Sequence, residues 1–558
     1  MSRPLEYPKM CYIDGVVRAG VKFWRIAGDR AQEAALRRLG FFPEGQDGRS
    51  LFNGADPAKF DHNDDGKPGG APLGGNRKRR GSARVPLLGG AYRSRSLIAG
   101  AQRAVNLFPE RTPEINQPPT PVVHMLTPGL LPLIQPVVGM VRGAYRATNG
   151  ALFICVGVNV YFVNTDFSYT LCGTINPGTS IVSFADNGTT MVVVDGSADG
   201  WWLGLGSTVL TQISDPAFYG ANFTCYLDGY LIFNRPATNQ FYISPPFWNG
   251  TDPFDPLDIA AKIGGPDVII AVTVMHREIW LIGQLTTEVW YNAGGADFPF
   301  ERQPGVFIEH GMVRGWSIAQ ADVNIFWLGR DRQGQSIVLM GKDYNAFRVS
   351  NHALEDAIQS YGDVTNCVGF TYQQDGHTFF VLTFPAADKT WAYDLTTGEW
   401  HERCWTDTNG IEHRIRPNCA AFAYNITVVG DWENGRIYVY DLDTYTDAGM
   451  PIVRRRGFPH LVNDGKRLSY KSFTADMEVA TAPAPGPTNT VMLRWSDTAG
   501  RTWGNPVELP FGSTGDYIRS MSVRRLGMAR DRVFELFWSL PYKTALQGAW
   551  IEVEPSDT

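Results

Sequence analysis

The sequence predicts a mainly β protein whose largest part is a β-propeller, and three observations support this. The 558 residues include 59 glycines, 36 prolines and 12% aromatic residues, a mixture typical of aromatic-packed strands joined by tight turns. Short β-rich runs alternate with Gly, Asn and Asp turns between about residues 140 and 450. These units recur every 40 to 52 residues, the period expected for blades of four short strands.

The recurrence gives about seven units, with six left open because divergent blades are easily miscounted. Comparable strand starts lie near Val141, Ile181, Phe223, Ile270, Ser317, Cys367 and Cys419. One four-stranded sheet cannot bury both of its faces, whereas a closed ring of such sheets does so and protects the sheet edges. We therefore predict a β-propeller over residues 140–450.

The N-terminal part differs in character from the rest of the chain. Residues 24–39 show apolar positions four residues apart, which predicts a helix that ends at Gly40 and is blocked by Pro43. A Gly-, Pro- and Asn-rich stretch follows, so we predict that residues 1–87 form an irregular arm ordered by contact with a partner.

Three further regions complete the predicted organisation. Residues 88–139 contain Pro-rich pieces and are predicted to be an extended connector. Residues 451–465 are predicted to be a basic linker. Residues 466–558 contain successive strand patterns and are predicted to form a C-terminal β-sheet or sandwich domain.

Charge is distributed unevenly along the chain, whose net charge is −6. Residues 1–95 hold 18 Lys and Arg against 10 Asp and Glu, so the remainder carries 32 bases against 46 acids, a net charge of −14. The basic head is either a solvated linker or an arm that docks on an acidic partner or on nucleic acid.

Cysteine usage and hydropathy indicate the cellular compartment in which the chain folds. The seven cysteines are odd in number and contain no CxxC pair, which favours a reducing cytosol over a disulfide scaffold. The N-terminus lacks an apolar signal-peptide core, and no run of 18 apolar residues occurs, so we expect no membrane-spanning segment.

An incomplete calcium-loop pattern occurs in the arm. Asp61, Asn63 and Asp65 occupy positions 1, 3 and 5, and Gly66 occupies position 6. Pro72 stands at position 12, where a bidentate Glu is required, so a complete EF-hand is excluded. Two interpretations of these residues remain. They form either an acidic turn or a partial metal site whose oxygen ligands are completed by other groups.

Four zinc-type ligands cluster in sequence near the end of the predicted propeller. His401, Cys404, His413 and Cys419 have a spacing that fits no common zinc finger. Residues 396–403 fit a hairpin turn that leaves a blade strand better than a metal site. We predict no metal site, no cofactor and no catalytic residues, because no nucleophile or phosphate-loop motif occurs either.

Two further motifs are interpreted as structural. Residues 495–503 resemble the Asp-box turn of sialidase propellers, in which Thr and Asp side chains bond the backbone, Gly500 takes a positive φ and Trp503 packs inward. The basic runs 76–81 and 454–457 are interpreted as solvated surface or subunit contacts, with phosphate contact as the alternative.

Three stretches taken together resemble the packaged-DNA-stabilisation family of short-tailed bacteriophages, also called tail hub or nozzle proteins. They are residues 93–110 with 127–133, residues 279–311, and residues 495–503 with 524–538. The resemblance covers about residues 90–558 and leaves the arm outside it.

The resemblance implies a structural virion protein that assembles in the bacterial cytoplasm. Family members form rings, usually hexamers, below the portal and adaptor proteins. They carry tail fibres or spikes, retain packaged DNA and pass duplex DNA without sequence-specific binding. The acidic body agrees with this role, because an acidic or neutral channel wall would not hold phosphates fast.

Two other functions stay open. A glycan-binding or glycan-cleaving propeller of the depolymerase or sialidase type would place Arg and carboxylate side chains together on the propeller axis. A propeller scaffold unrelated to phage would be a stable monomer. The expectation is a structural tail protein that is not an enzyme.

Overall fold

The computed structural model describes residues 83–87, 102–110, 123–331, 333–463, 465–479, 490–511 and 518–556. The helix predicted at 24–39 and the calcium-loop residues Asp61, Asn63 and Asp65 lie outside these residues. The described chain is mainly β and consists of a propeller joined to a C-terminal sandwich, which confirms the predicted fold class.

Five strands precede the first blade. They are β1 (Ala83–Pro86), β2 (Ala104–Val105), β3 (Leu107–Glu110), β4 (Val123–Leu126) and β5 (Gly129–Ile134). Strands β1, β3 and β4 belong to the sandwich, β2 bridges the two domains and β5 belongs to the propeller. The stretch predicted to be a connector therefore supplies strands to both domains.

Six blades each consist of four consecutive antiparallel strands. Blade I contains β6 (Val141–Arg146), β7 (Leu152–Val156), β8 (Asn159–Val163) and β9 (Tyr169–Thr174). Blade II contains β10 (Ser183–Asp186), β11 (Thr190–Val194), β12 (Gly200–Gly204) and β13 (Thr211–Gln212). Blade III contains β14 (Thr224–Leu227), β15 (Tyr230–Asn234), β16 (Gln240–Ile243) and β17 (Ile259–Ala261).

The next three blades follow the same order. Blade IV contains β18 (Ile269–Met275), β19 (Glu278–Gly283), β20 (Thr287–Asn292) and β21 (Phe300–Arg302). Blade V contains β22 (Ala319–Ala321), β23 (Asn324–Arg330), β24 (Ser336–Lys342) and β25 (Asn345–Arg348). After helix α1 (His352–Ser360), blade VI contains β26 (Val368–Gln374), β27 (His377–Phe384), β28 (Lys389–Asp394) and β29 (Glu399–Arg403).

A seventh, composite blade closes the ring. A small hairpin of β30 (Trp405–Thr406) and β31 (Glu412–His413) precedes β32 (Pro417–Ala423), β33 (Ile426–Asp431) and β34 (Ile437–Asp441). Strand β5 is its fourth strand and pairs antiparallel with β34, with Leu131 opposite Val439. Strand β32 packs beside β6 of blade I, so the last blade meets the first. The ring thus includes β5, which precedes the range 140–450.

The second strand of a blade is buried on both faces, which explains its high content of apolar residues. All five residues of β7, all five of β11 and all eight of β27 are buried. Because neighbouring blades cover both faces of each sheet, apolar residues occupy consecutive positions in these strands instead of alternating with exposed polar residues.

Tight turns join the first two strands of several blades. Asp228–Gly229 and Asp375–Gly376 have positive φ at both positions, the type I′ geometry that matches strand twist. His276–Arg277 adopts the same geometry, with φ values of 54° and 61°, without a glycine. The left-handed region is strained for residues that have a Cβ, so this turn is held by its surroundings.

Helix α1 lies in the connection between blades V and VI. The Asn351 side chain accepts a hydrogen bond from the Leu354 N–H and caps the helix. Leu354 and Ile358 are buried against the core of blades V and VI, and Glu355 pairs with Arg348 at the end of β25. The helix thereby covers one inter-blade boundary.

The C-terminal sandwich follows two short strands, β35 (Thr446–Asp447) and β36 (Met450–Pro451). Its strands are β37 (Arg454–Gly457), β38 (Leu461–Val462), β39 (Leu468–Val479), β40 (Thr490–Ser496), β41 (Val507–Pro510), β42 (Ile518–Arg524), β43 (Met528–Ala529), β44 (Asp531–Trp538) and β45 (Thr544–Pro555). One sheet has the order β3-β4-β45-β39-β42, and the other contains β37-β44-β40-β41. Phe473, Ile551, Leu493 and Phe534 from the two sheets share one core.

The second sandwich sheet is continuous with blade VI. Strand β2 pairs with β29 on one side and with β37 on the other, so hydrogen bonding runs from the propeller into the sandwich. The interpretation of residues 454–457 as solvated surface or subunit contact is wrong for Arg454 and Arg456, which are buried in this sheet. A basic run can form a buried strand when neighbouring elements supply carbonyl and carboxylate partners.

The described part of the chain contains no helix long and apolar enough to cross a membrane. Its six cysteines, Cys155, Cys172, Cys225, Cys367, Cys404 and Cys419, are free. Five are buried, and burial raises the pKa of the Cys367, Cys404 and Cys419 thiols to about 12.

Candidate functional site

The four zinc-type residues are not brought together. His401 is buried, and burial and the adjacent Arg403 hold its pKa well below the ordinary value. His413 Nδ1 lies 2.6 Å from the Asp388 carboxylate, whereas Cys419 lies in another blade. Over the ranges that the structure describes, no group of three or more His, Cys, Asp or Glu residues has metal-site geometry.

The innermost strands of the seven blades, all of them described, line the propeller axis and are almost uncharged. Their charged residues are Arg142, Arg146 and Asp186. Arg142 is buried and donates to the carbonyl oxygens of Asn176 and Ser180, and the Asp186 carboxylate accepts from the Tyr145 hydroxyl at 2.7 Å. These strands do not assemble the Arg–carboxylate cluster that a glycan-cleaving site on the axis would require.

The stretch 279–311 contributes Thr286 and Glu288 to a buried cluster of hydrogen-bonded polar residues between blades III and IV. Lys262, in the connection between the blades, lies 2.5 Å from Asp267 and donates to the Thr286 carbonyl oxygen. Burial lowers the pKa of Lys262, and the Asp267 carboxylate opposes that effect. The buried Glu288 carboxylate accepts from the Gly264 and Gly265 N–H groups.

This cluster explains the composition of the stretch. A Cβ on Gly283 would lie 2.3 Å from the Asp267 carboxylate and 2.4 Å from Lys262 Nζ, so only glycine fits there. The charged residues bond one another and the backbone, so they fasten the connection between the two blades.

A chain of alternating charges crosses the junction between blade VI and the sandwich. Arg103 donates to the carboxylates of Glu402 and Glu412, and Arg455 donates to Glu412 at 2.9 Å. Arg455 also donates to Glu535 at 2.7 Å, and the Arg494 guanidinium lies 2.6 Å from the same carboxylate. We call the set Arg103, Glu402, Glu412, Arg455, Glu535 and Arg494 the junction network.

The junction network shifts the titration of its central carboxyl. Burial alone would raise the pKa of Glu412, but Arg103 and Arg455 lower it to about 2. Glu412 therefore remains charged down to acidic pH and keeps its ion pairs with Arg103 and Arg455 across the junction.

Asn106 fastens the same junction through the backbone. It adopts a left-handed conformation with φ of 54°, and its side-chain amide donates to the carbonyl oxygens of Cys404 and Val453. Its amide oxygen accepts from the Cys404 N–H at 3.0 Å. One side chain thus joins the ends of β29, β2 and β37.

Sequence reasoning missed the junction residues. They lie hundreds of positions apart, as Arg103 and Glu412 do, and none belongs to a local motif. The charge-rich run around Arg455 was the available signal, but it gives no information about its partners.

The Asp-box-like turn differs from expectation at Trp503 and Asp497. Trp503 is partly buried and lies against the Arg494 guanidinium, 4.7 Å from the ring centroid, and does not belong to the sandwich core. Gly500 has a φ of 84°, as predicted, and the Thr498 hydroxyl accepts from the Thr502 N–H. The carboxylate of Asp497 pairs with Arg532 instead of the turn backbone, and the Ser496 hydroxyl accepts from the Gly500 N–H in its place.

Solved structures with detectable similarity include propellers. The WD40 β-propeller domain of Doa1 is 9% identical, with 57% of this chain and 97% of that chain covered and a TM-score of 0.35. The structure of YCF48 bound to D1 peptide is 11% identical, with 57% of this chain and 98% of that chain covered and a TM-score of 0.36. No curated protein matches the chain.

A family model does match. The phage-stabilisation model, described as Bacteriophage P22 Gp10, beta-propeller, matches residues 83–445, which is more than half of the chain. The match includes all seven blades with β5, which is the ring seen in the structure. The chain therefore belongs to the phage-stabilisation family of β-propeller proteins.

Proposed function

We propose that this phage structural protein is a subunit of a tail hub or nozzle ring that forms the DNA channel, retains packaged DNA and docks the adaptor and fibres. Family membership over the closed propeller is the observation that carries the proposal. The fused sandwich supports it, because the junction network and the continuous sheet make a rigid two-domain body suited to building a tube.

The charge distribution supports passage of DNA rather than capture. Residues 123–451 hold 16 Lys and Arg against 33 Asp and Glu, a net charge of −17. Duplex DNA carries one negative charge per ~1.7 Å of its axis, so a wall built from such surfaces repels the phosphates. We expect the channel wall to be acidic or neutral, and rings of unpaired Arg or Lys facing the bore would contradict this.

The test is DNA retention by particles assembled without the chain. Filled heads lacking it should lose their genomes, and adding the purified chain should restore retention and ejection. Particles that keep and deliver their DNA equally well without the chain would contradict the proposal.

The basic arm is proposed to fasten the ring to the adaptor. Val85 and Leu87 lie in the sandwich core, so an informative truncation ends at residue 82 and keeps β1. The truncated chain should fold normally but assemble poorly with its tail partners. Normal assembly of the truncated chain would show that residues other than the arm fasten the ring to the adaptor.

No described feature favours the glycan-acting alternative. Incubation of the purified chain with host polysaccharide should release no sugar, and released sugar would overturn the structural role.

A further inference from the structure

An acidic loop projects from blade III. It is the connection 244–258 between β16 and β17, and it exposes Phe247 and Leu257 by 71% and 80%. Asp252 and Asp255 are exposed beside them, and Asp258 is half-buried. None of the three carboxylates forms an ion pair with the residues that the structure describes. The loop thus presents two large apolar side chains within uncompensated negative charge.

The loop is held in a fixed shape. Trp248 and Phe254 are buried beneath it, with ring centroids 5.2 Å apart, and the Trp248 indole donates to the Asp252 carbonyl oxygen. Asp215 of the preceding connection accepts from the Phe254 N–H. Because the anchors are rigid, the exposed residues are displayed without a large ordering cost on binding.

A basic patch lies on the sandwich. Its residues come from two adjacent segments, since the Arg525 N–H donates to the Lys471 carbonyl oxygen and Ser469 pairs with Met528. Met528 is 54% exposed and lies among exposed cations. The patch consists of Met528 with Lys466, Arg467, Arg524, Arg525 and Arg530.

The cations of the patch face no neutralising carboxylate among the residues that the structure describes. Lys471, just beside it, pairs with Glu554 at 2.7 Å, whereas the five patch cations make no ion pair among the described residues. Surface cations without a carboxylate partner in the described part of the chain can bind a partner's carboxylates, and Met528 gives that partner an apolar contact.

The two surfaces cannot meet within one copy. The acidic loop belongs to blade III, while the sandwich is joined to blades VI and VII. Two blades separate blade III from blade VI, and two separate it from blade VII. The acidic loop and the basic patch therefore belong to parts of the molecule that are separated by two blades in either direction around the ring.

We propose that the basic patch of one copy binds the acidic loop of the next copy, a head-to-tail contact that builds the subunit ring. Two observations support this pairing: the acidic loop and the basic patch have opposite charge, and each exposes at least one large apolar side chain. A contact between different surfaces leaves one of each free at the ends, so it repeats from copy to copy and gives a ring where the rotation between copies closes. The proposal rests on the proposed ring function and names the surfaces that make it.

The test uses the full chain and two charge-reversed variants, Asp252→Lys/Asp255→Lys and Arg524→Glu/Arg525→Glu. Sedimentation velocity and native mass spectrometry measure self-association at low and high salt. The wild type should assemble and dissociate at high salt, where charge is screened. Each variant alone should associate about tenfold more weakly or worse, since several like charges now face each other.

Mixing the two variants is the decisive arm. One pairing then joins a native loop to a native patch, and the other joins a lysine loop to a glutamate patch, so the mixture should recover assembly. The matched controls are Asp322→Lys/Asp343→Lys, exposed on other turns of the propeller, and Arg501→Glu on the sandwich; both should assemble normally. Unchanged thermal unfolding shows that each variant is folded.

Three outcomes would overturn the proposal. They are a wild-type chain that stays monomeric at low salt, variants that assemble like the wild type, and a mixture that fails to recover. If the patch variant instead loses only binding of a 20-base-pair duplex in fluorescence anisotropy, the patch belongs to nucleic acid. The ring function fails separately, by normal DNA retention in particles that lack the chain.

Discussion

Blades I to V and the region formed by blades VI and VII with the sandwich are built from the same strands but are held differently. Each of the first five blades is a separate four-stranded sheet that packs on its neighbours through apolar and aromatic side chains. Blade VI instead continues into a sandwich sheet, and blade VII borrows β5 from before blade I. A repeated architecture is thus modified where the chain closes the ring and attaches a second domain.

The charges follow the same division. Buried Arg454 and Arg456 and the junction network lie at blade VI and the sandwich. The first five blades have isolated buried ion pairs such as Lys262–Asp267. Apolar packing with isolated polar clusters thus joins the equal blades, whereas an extended network of ion pairs joins blade VI to the sandwich.

The largest effect is expected from breaking the closure by β5. Leu130→Asp places a carboxylate in the core shared by blades VI and VII, because Leu130 is 3% exposed. We expect a loss of about 4 kcal/mol or more in the free energy of unfolding. Leu131→Asp, at a neighbouring position that is 46% exposed, is the control and should have little effect in the same thermal unfolding measurement. Equal effects of the two changes would contradict closure by β5.

The next effect is expected at the junction. Glu412→Gln removes the carboxylate shared by Arg103 and Arg455 and should lower the free energy of unfolding by about 2–3 kcal/mol. Glu433→Gln removes an exposed partner of Arg416 and should change it by less than about 0.5 kcal/mol. Denaturant unfolding measures both, and a silent Glu412→Gln would mean that the sandwich is held without the network.

The same residue predicts a pH dependence. The pKa of Glu412 is about 2, below its ordinary value of 4.5, so its stabilisation is complete above about pH 4.5. It should be lost as the pH falls from about 4.5 towards 2. Comparing the wild type with Glu412→Gln across this range should show the difference between them shrinking with acidification. A constant difference would contradict the assigned pKa shift.

The smallest effect is expected at a strained turn in blade IV. His276→Asn/Arg277→Gly replaces two side-chain-bearing residues at positive φ with a sequence suited to that turn. The change should raise the free energy of unfolding by about 1 kcal/mol, because the exposed Arg277–Asp228 pair that it removes contributes little. A lower unfolding temperature would show that the pair matters more than the backbone.

The regular part of the fold was predictable from the sequence. The seven predicted strand starts, from Val141 to Cys419, lie within two residues of the observed starts of the innermost strands. This worked because each blade repeats a local pattern of strands and turns. Strand β5 was missed because it follows a Pro-rich stretch and contains Pro132, which an outermost strand tolerates.

The junction was not predictable for a different reason. Burial of Arg454 depends on carbonyl groups such as that of Leu540, which is 86 positions away. Local composition cannot distinguish a solvated basic run from a strand whose partners are so distant. The acidic loop, in contrast, carries a local sequence signal of a surface connection, because its prolines and aspartates disfavour a strand.

Hydrogen exchange across the closing blade tests the central claim most directly. If β5 is an integral strand, the amides of Leu131 and Ile134 should be protected to a similar extent as those of Val439 and Ile437, their partners in β34. Exchange of β5 within minutes, while β34 remains protected for hours, would contradict a ring closed by this strand.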